Sequence, residues 1–270
     1  MIWHPFFGVE GYNVSLGRQP LIDARCPVTD CLFTEDEQLF NQSEIVLFDV
    51  QKMFDIPTYR FPHQRFVFYE TESPANPTSL PYIIRPIRHN FFNWTMTYRL
   101  DSDIVHRYGE VNQLFRKSKT RSKLVKNTWH SKTKLVAWFV TRCYTAFRRE
   151  EYVRQLSQFI PVDIYGPCGN LTCNQQNKSL CLEMLRADYK FYLAFENSLC
   201  PDYVTEKLFQ TLMYDTVPVV LGGVDYDRFA PPHSFIDVRQ FESAKQLADY
   251  LLLLDRSDHL YARYFDWKRH

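Results

Sequence analysis

The chain lacks the features that mark membrane-spanning and nucleic-acid-binding proteins. It has no run of about 18 apolar residues, and its N-terminus has no signal-peptide pattern. Its 270 residues carry a formal net charge of only +1, so no overall positive field favours nucleic acid. With 45% hydrophobic and 23% charged residues, the composition is that of a globular protein with one large domain or two modest ones.

One stretch departs from this even charge balance. The segment from Arg116 to Lys134 is rich in lysine and arginine, but it has few aromatic residues and no RNA- or DNA-binding motif surrounds it. We interpret residues 116–133 as a solvated linker. The sequence therefore predicts an N-terminal domain over residues 1–125 and a C-terminal domain over residues 126–270, with no nucleic-acid partner.

The seven cysteines have no histidine pair beside them, and their spacing is poor for a zinc knuckle. Two C-x₄-C pairs, Cys26 with Cys31 and Cys168 with Cys173, are expected to form local disulfides. Cys143 and Cys200 each follow a predicted strand, so these two could also meet. An excess of N-x-S/T sequons agrees with a secretory compartment. The sequons are Asn13, Asn41, Asn93, Asn170 and Asn177.

The segment from Phe191 to Gly223 organises the C-terminal half. An apolar run, FYLAF, predicts a strand buried on both faces, and the polar residues Glu196, Asn197 and Ser198 follow it. Asp202 is a good helix N-cap for a helix over 203–214, and 217–221 predicts the next strand. Pro218 conflicts with a central strand, so the strand is expected to begin at Val219. A strand–helix–strand crossover of this kind holds ligands at the carboxyl ends of its strands, and a phosphate-bearing ligand is our first hypothesis.

Other residues could carry chemistry, each with a plainer alternative. Glu72 follows the strand 65–70 in a loop stiffened by Pro74, which suits a general base, or it is a solvated loop acid. Arg149 lies at a helix start after the strand 135–140, where a cation is unfavourable unless an anion binds there, or it is an ordinary surface arginine. Asp101 and Asp103 form a D-x-D, a weak signal for a metal site.

The motifs FYLAFENSLCPDYVTEKLF and VPVVLGG resemble the donor-binding motif of the α1,3-fucosyltransferases. The resemblance extends over nearly the whole chain, through Glu72-Ser73-Pro74, FNWTMTYR with its following DSD, VDIYG, and the tail from APPHSFIDV to YFDWK. The Cys-rich YGPCG loop is more similar to the invertebrate and core-type branches. Thr141-Arg142 departs from the Ser-Asn that the family usually carries there.

This resemblance implies an α/β fold of the GT-B type, with two Rossmann-like domains facing across a cleft and a last helix that packs back toward the N-terminal domain. It implies an enzyme that transfers L-fucose from GDP-fucose, with inversion, to the 3-hydroxyl of N-acetylglucosamine in a glycan or glycoprotein. On this basis Glu72 is the catalytic base. The donor-binding residues are Arg149, Asn197, Tyr203, Glu206 and Lys207.

The resemblance also implies that no metal or other cofactor is required, because Arg149 and Lys207 can neutralise the leaving diphosphate; stimulation by a divalent cation stays open. It implies the Golgi lumen and a type II membrane protein, anchored by a segment that this chain lacks. Two alternatives remain. One is a catalytically impaired relative that binds GDP or glycans, and the other is a metal-dependent transferase using Asp101 and Asp103. The acceptor is also open between a Lewis-type chain and the innermost GlcNAc of an N-glycan.

Overall fold

The computed structural model describes residues 1–3, 16–53, 55–75, 90–112, 128–173 and 178–269. The chain divides into two units, Met1–Arg107 and Tyr108–His270. The predicted domain boundary after residue 125 falls among residues outside the described ranges, as do the sequons at Asn13 and Asn177. Among the helices that are described, none is both long and apolar enough to cross a membrane.

The described part of the first unit is built on a five-stranded parallel sheet in the order β1-β2-β3-β4-β5. A short helix α1, Gln19–Asp23, precedes β2. Phe48 and Phe66 pack edge to face at 4.9 Å between ring centroids and lie in the aromatic core. The strands are β1 Ile2–Trp3, β2 Ile45–Asp49, β3 Arg65–Glu70, β4 Trp94–Thr97 and β5 Ile104–Val105.

The second unit also carries a five-stranded parallel sheet, in the order β10-β9-β8-β6-β7. Numbered from β6, this is the doubly wound order 2-1-3-4-5. All strands are parallel, and the direction in which successive strands are added reverses between β6 and β8, which is the switch point of the sheet. The strands are β6 Lys134–Phe139, β7 Val162–Tyr165, β8 Tyr189–Phe195, β9 Val217–Leu221 and β10 Ile236–Asp237. The helices are α2 Arg149–Leu156, α3 Lys178–Asp188, α4 Glu206–Leu212, α5 Ala244–Arg256 and α6 Asp258–Ala262.

β8 is the central strand of this sheet, and all seven of its residues are buried. The predicted run FYLAF is confirmed, with two further residues at its start. Its neighbour β9 begins at Val217 rather than at Val219, so Pro218 does belong to a strand and pairs with Tyr192. On its other side, β9 pairs with β10 only at Val219 and Val220. Pro218 has no strand partner on that side, so its missing N–H costs no hydrogen bond there.

The helix after β8 differs from its prediction. It begins at Glu206 with Thr205 as N-cap, whereas Asp202 has a left-handed backbone with φ of 61° and does not cap it. It ends at Leu212 and not at residue 214, and Met213, directly after it, is 72% exposed. At the start of α5, the Ser243 side chain accepts a hydrogen bond from the amide of Gln246, so Ser243 caps this helix.

The end of the predicted linker belongs to the core. Trp129 is 3% exposed and stacks on Phe265 with 5.6 Å between ring centroids. Lys132 is also buried, and its ammonium donates to Arg186 O, Tyr189 O and Thr216 Oγ1 at 2.6–3.0 Å. Burial lowers the pKa of Lys132 to about 8. The solvated-linker interpretation is therefore wrong for Trp129 and Lys132. Three acceptors replace the water that the Lys132 ammonium gives up.

The cysteines pair differently from the local prediction. Cys143 is bonded to Cys168, and Cys173 is bonded to Cys181. The proposed pairs Cys26–Cys31, Cys168–Cys173 and Cys143–Cys200 are wrong. Cys143 follows β6 and Cys168 follows β7, and these adjacent parallel strands bring both loops to one edge of the sheet. The pairing of Cys143 with Cys168 therefore depends on the positions of these residues after adjacent strands and not on nearness in the sequence.

A matched pair of leucines on α5 tests the core of the second unit. Leu251 is fully buried, whereas Leu253 is 51% exposed. We expect Leu251→Ala to lower the free energy of unfolding by about 2–5 kcal/mol, since it removes contacts and leaves a cavity. Leu253→Ala should change it by less than about 0.5 kcal/mol. Denaturant titration followed by circular dichroism measures both, and equal losses would contradict this assignment of the core face.

Candidate active site

The predicted donor-binding residues surround the switch point of the second sheet. Arg149 begins α2, which follows β6, and Asn197 follows the end of β8. The guanidinium of Arg149 joins the two sides, because its Nη1 donates to Phe195 O at 2.5 Å and its Nη2 donates to Arg142 O at 3.3 Å. In doubly wound sheets, ligands bind at the carboxyl edge at this switch point.

Arg149 is a buried cation and not a surface arginine. It is 4% exposed, and its Cζ lies 5.6 Å from the centre of the Trp138 ring. Burial lowers the pKa of Arg149, while the nearby carboxylate of Glu196 opposes that change. Its Nε–H is buried and has no hydrogen-bond partner in the described structure. A buried guanidinium N–H without a partner is costly, which is expected where an anionic ligand completes the site.

Lys207 lies on the first turn of α4, beside two carboxylates. Its Nζ donates to Thr205 Oγ1 at 2.7 Å, to Glu196 Oε2 at 3.3 Å and to Glu206 Oε1 at 3.3 Å. Burial by itself would lower the pKa of Lys207, but the charges of Glu196 and Glu206 outweigh it and the pKa is raised. Lys207 therefore stays a cation at neutral pH.

Asn197 and Tyr203 complete the predicted donor set. Asn197 Oδ1 is buried and accepts no hydrogen bond from the residues described. Tyr203 is 1% exposed, with its ring edge to face against Tyr108 at 6.3 Å. The structure thus brings Arg149, Asn197, Glu206 and Lys207 to the carboxyl edge of one sheet, with Tyr203 two residues before the N-cap of α4.

Two residues at this edge were missed by sequence reasoning. Glu196 is completely buried directly after β8 and binds both Thr205 and Lys207. Tyr226 is 2% exposed, and its hydroxyl has no partner among the described residues. A Cβ added to Gly222 would lie 2.4 Å from this hydroxyl and 3.4 Å from Glu196 Cγ, so only glycine fits. A polar residue directly after a wholly apolar strand was the available signal for Glu196.

Glu72, the predicted base, lies in the first unit in the loop after β3. Its amide donates to Glu70 Oε1 at 2.6 Å, and Gln51 Nε2 donates to the same oxygen at 2.7 Å. Ser73 is fully buried, and its Oγ accepts from the amide of Ala75 at 3.1 Å. The loop is therefore anchored on both sides of Glu72, which itself stays half-buried.

The two acids of the D-x-D are engaged in loop contacts. Asp101 forms a bidentate pair with Arg99 at 2.6 and 2.7 Å, and this pair lowers the pKa of Asp101. Asp103 Oδ2 accepts from the amide and hydroxyl of Thr95 at 2.8 and 2.9 Å. These contacts tie the turn after β4 back to the strand.

Comparison with known proteins places these features in a family. A model described as glycosyltransferase family 10 (fucosyltransferase) C-term matches residues 129–270, and one described as fucosyltransferase, N-terminal, matches residues 1–109. The Drosophila melanogaster protein named alpha-(1,3)-fucosyltransferase C is 39% identical, over 100% of this chain and 68% of that protein. From the same organism, glycoprotein 3-alpha-L-fucosyltransferase A is 40% identical, over 97% of this chain and 51% of that protein. The chain thus spans 68% and 51% of the lengths of these two relatives.

A solved structure has the same fold. A crystal structure of an alpha1,3-fucosyltransferase with GDP-fucose superposes with a TM-score of 0.53 at 20% identity, covering 83% of this chain and 69% of that one. At this identity the likeness concerns the fold alone. Together with the two parallel sheets, it confirms the predicted α/β fold class of the GT-B type.

The loop that holds Glu72 should make stability depend on pH through Glu70. Burial raises the pKa of Glu70 from 4.5 to about 7, and the charges of Asp49 and Glu72 add to that rise. Between pH 4.5 and about 7, Glu70 keeps a proton in the folded chain that it has lost in the unfolded chain. The free energy of unfolding therefore falls as pH rises. The loss should reach about 3 kcal/mol by pH 8.

Glu70→Gln keeps the neutral shape and should remove most of this fall. Urea unfolding from pH 4.5 to 8 measures the effect, with the exposed Glu37→Gln as a matched control that should follow the parent. Parallel curves for Glu70→Gln and the parent would contradict the assignment.

Proposed function

Because the chain belongs to the fucosyltransferases of glycosyltransferase family 10, we propose that it is an inverting α1,3-fucosyltransferase. It moves L-fucose from GDP-fucose to the 3-hydroxyl of a GlcNAc residue in a glycan or glycoprotein. The observation that carries this proposal is a pair of cations at the switch point of a doubly wound sheet, the buried Arg149 and the partly buried Lys207. The relatives named as α1,3-fucosyltransferases support it.

The donor half of the reaction uses residues of the second unit. GDP departs as an anion, so positive charge must face the diphosphate oxygens where negative charge grows. Arg149 and Lys207 supply that charge, and the Nε–H of Arg149 offers a donor with no partner in the described structure. Glu206 accepts hydrogen bonds from the fucose hydroxyls. Asn197 and Tyr203 line the donor pocket.

The acceptor half requires a base. Glu72 takes the proton of the acceptor 3-hydroxyl while that oxygen attacks the anomeric carbon of fucose, and the bond from this carbon to the diphosphate oxygen breaks. Attack opposite the leaving group inverts the anomeric centre, so a single carboxylate suffices. Glu70 holds the amide of Glu72 and so orients the loop that carries the base.

The same proposal covers location. Two disulfides fit an oxidising compartment, and we propose the Golgi lumen as the place of action.

Glu72→Gln tests the proposed base. Transfer of fucose should fall about 10²–10⁴-fold, because the amide cannot accept the proton, while GDP binding stays unchanged. Radiolabelled GDP-fucose and two acceptors, a Lewis-type N-acetyllactosamine and the chitobiose core of an N-glycan, measure transfer and assign the linkage. Glu37→Gln is the control. GDP binding without transfer by the parent would favour a catalytically impaired relative.

Arg149→Ala tests the diphosphate contact. A charge-assisted hydrogen bond to the leaving group is worth about 1.5–3 kcal/mol, so the Kd for GDP should rise about 10- to 100-fold. Arg154→Ala is the matched control, because this arginine lies on the same helix but is exposed and pairs with Glu151. Isothermal titration calorimetry measures both, and equal affinities for the two variants would contradict the assignment.

Chelation separates this mechanism from one that uses Asp101 and Asp103 as metal ligands. Because two protein cations face the diphosphate, we expect transfer to persist in excess EDTA. Loss of transfer on chelation, with recovery on added Mn²⁺ or Mg²⁺, would favour the metal-dependent alternative.

A further inference from the structure

Among the described residues of the second unit, Glu196 is the carboxylate with the most complete burial. Glu196 has no exposed surface and follows directly after β8, where the strand reaches the carboxyl edge of the sheet. Its Oε1 accepts from the amide of Thr205 at 2.8 Å and from Thr205 Oγ1 at 3.1 Å. Its Oε2 lies 2.8 Å from Thr205 Oγ1 and 3.3 Å from Lys207 Nζ. A buried carboxylate needs such partners, because isolated burial would be very costly.

Thr205 gives up its usual role to make these contacts. It is the N-cap residue of α4, yet its side chain makes no capping hydrogen bond to that helix. Instead, its hydroxyl donates to Glu196 and accepts from Lys207 Nζ at 2.7 Å. The result is a chain of hydrogen bonds from the ammonium of Lys207 through Thr205 to Glu196.

Few charged groups lie close to the hydrogen-bonded chain of Lys207, Thr205 and Glu196. Lys207 faces Glu196, Glu206 and Arg149. Glu196 faces the cations Lys207 and Arg149 and the carboxylate of Glu206, and the buried phenols of Tyr192 and Tyr226 lie in its field. Burial raises the pKa of Glu196, and the positive charge of Lys207 counteracts that rise. The group that most favours the carboxylate form of Glu196 is thus Lys207, one of the two cations assigned to the diphosphate.

We propose that Glu196 is a positioning residue for the transfer reaction, holding the ammonium of Lys207 and the first turn of α4 in the geometry that the departing diphosphate requires. This inference rests on the function proposed above. Glu196 does not touch the reacting atoms; it acts through Thr205 and Lys207. Fixed orientation of the cation lowers the reorganisation needed as charge develops on the leaving group, which affects the rate more than the binding of the intact donor.

Glu196→Gln tests the proposal, since it keeps the shape and removes the charge. We expect kcat for transfer to fall at least about tenfold, while KM for GDP-fucose and the Kd for GDP change less than about threefold. Glu183→Gln is the matched control, because it removes a carboxylate from an exposed pair with Arg186 in the same unit. Its kcat should equal that of the parent.

A second readout does not need activity. Competitive acetylation with acetic anhydride, followed by peptide mass spectrometry, measures the reactivity of Lys207 against pH. Without the carboxylate of Glu196, the pH at which Lys207 becomes reactive should fall by about one unit or more. If the parent does not transfer fucose, the proposed function fails, but this labelling experiment still decides the coupling of Glu196 to Lys207.

Thr205 provides a route that leaves Glu196 in place, should Glu196→Gln fail to fold. Thr205→Val removes the bridging hydroxyl and should reproduce the loss in kcat, whereas Thr205→Ser restores the hydroxyl and should recover most of it. An unchanged kcat and an unchanged Lys207 profile in Glu196→Gln would overturn the proposal. So would equal kcat values for Thr205→Val and Thr205→Ser.

Discussion

The second unit depends on a strand that is buried along its whole length and has a cation bound at each end. At the start of β8, Tyr189 O accepts from Lys132, and at its end Phe195 O accepts from Arg149. Burying a charge costs several kcal/mol unless hydrogen bonds and counter-charges replace the lost water. The backbone carbonyls of β8 supply part of that replacement, so the position of the strand and the positions of both cations are fixed together.

The two cations differ in a way that separates structure from function. Lys132 has three N–H donors and three acceptors, which leaves nothing for a ligand. Arg149 donates through Nη1 and Nη2, but its Nε is buried without a partner in the described part of the chain. Asn197 Oδ1, at the same edge, is also buried without a hydrogen-bond partner among the described residues. The Lys132 ammonium at the amino edge is therefore saturated, whereas Arg149 and Asn197 at the carboxyl edge keep polar atoms available.

Much of this arrangement could be predicted from the sequence, because the apolar pattern of a strand and its place along the chain are local properties. Arg65–Glu70 matches its predicted bounds, and Arg149 was expected at a helix start. The errors have a common cause in tertiary contacts. Thr205 occupies the N-cap position of α4, where its amide donates to Glu196, although Asp202 is the better N-cap by residue type alone. Lys132 seemed solvated because its three acceptors lie between 54 and 84 residues away in the chain. The family resemblance predicted Glu206 and Lys207 as donor-binding residues. The hydrogen bonds from Lys207 to Glu196 and Glu206 depend on the tertiary structure and could not be predicted.

The Cys143–Cys168 bond has a practical consequence for anyone producing this protein. It closes a loop of 25 residues, which in the chain-entropy model is worth on the order of 3 kcal/mol. Within that loop lies Arg148, a non-glycine residue with a left-handed backbone at φ 58°, immediately before Arg149. In the reducing cytosol of a bacterial host the thiols would stay apart, and the strained turn would lose the tether that opposes its relaxation. Periplasmic or secretory expression is therefore the appropriate route to a chain whose Arg149 is correctly placed.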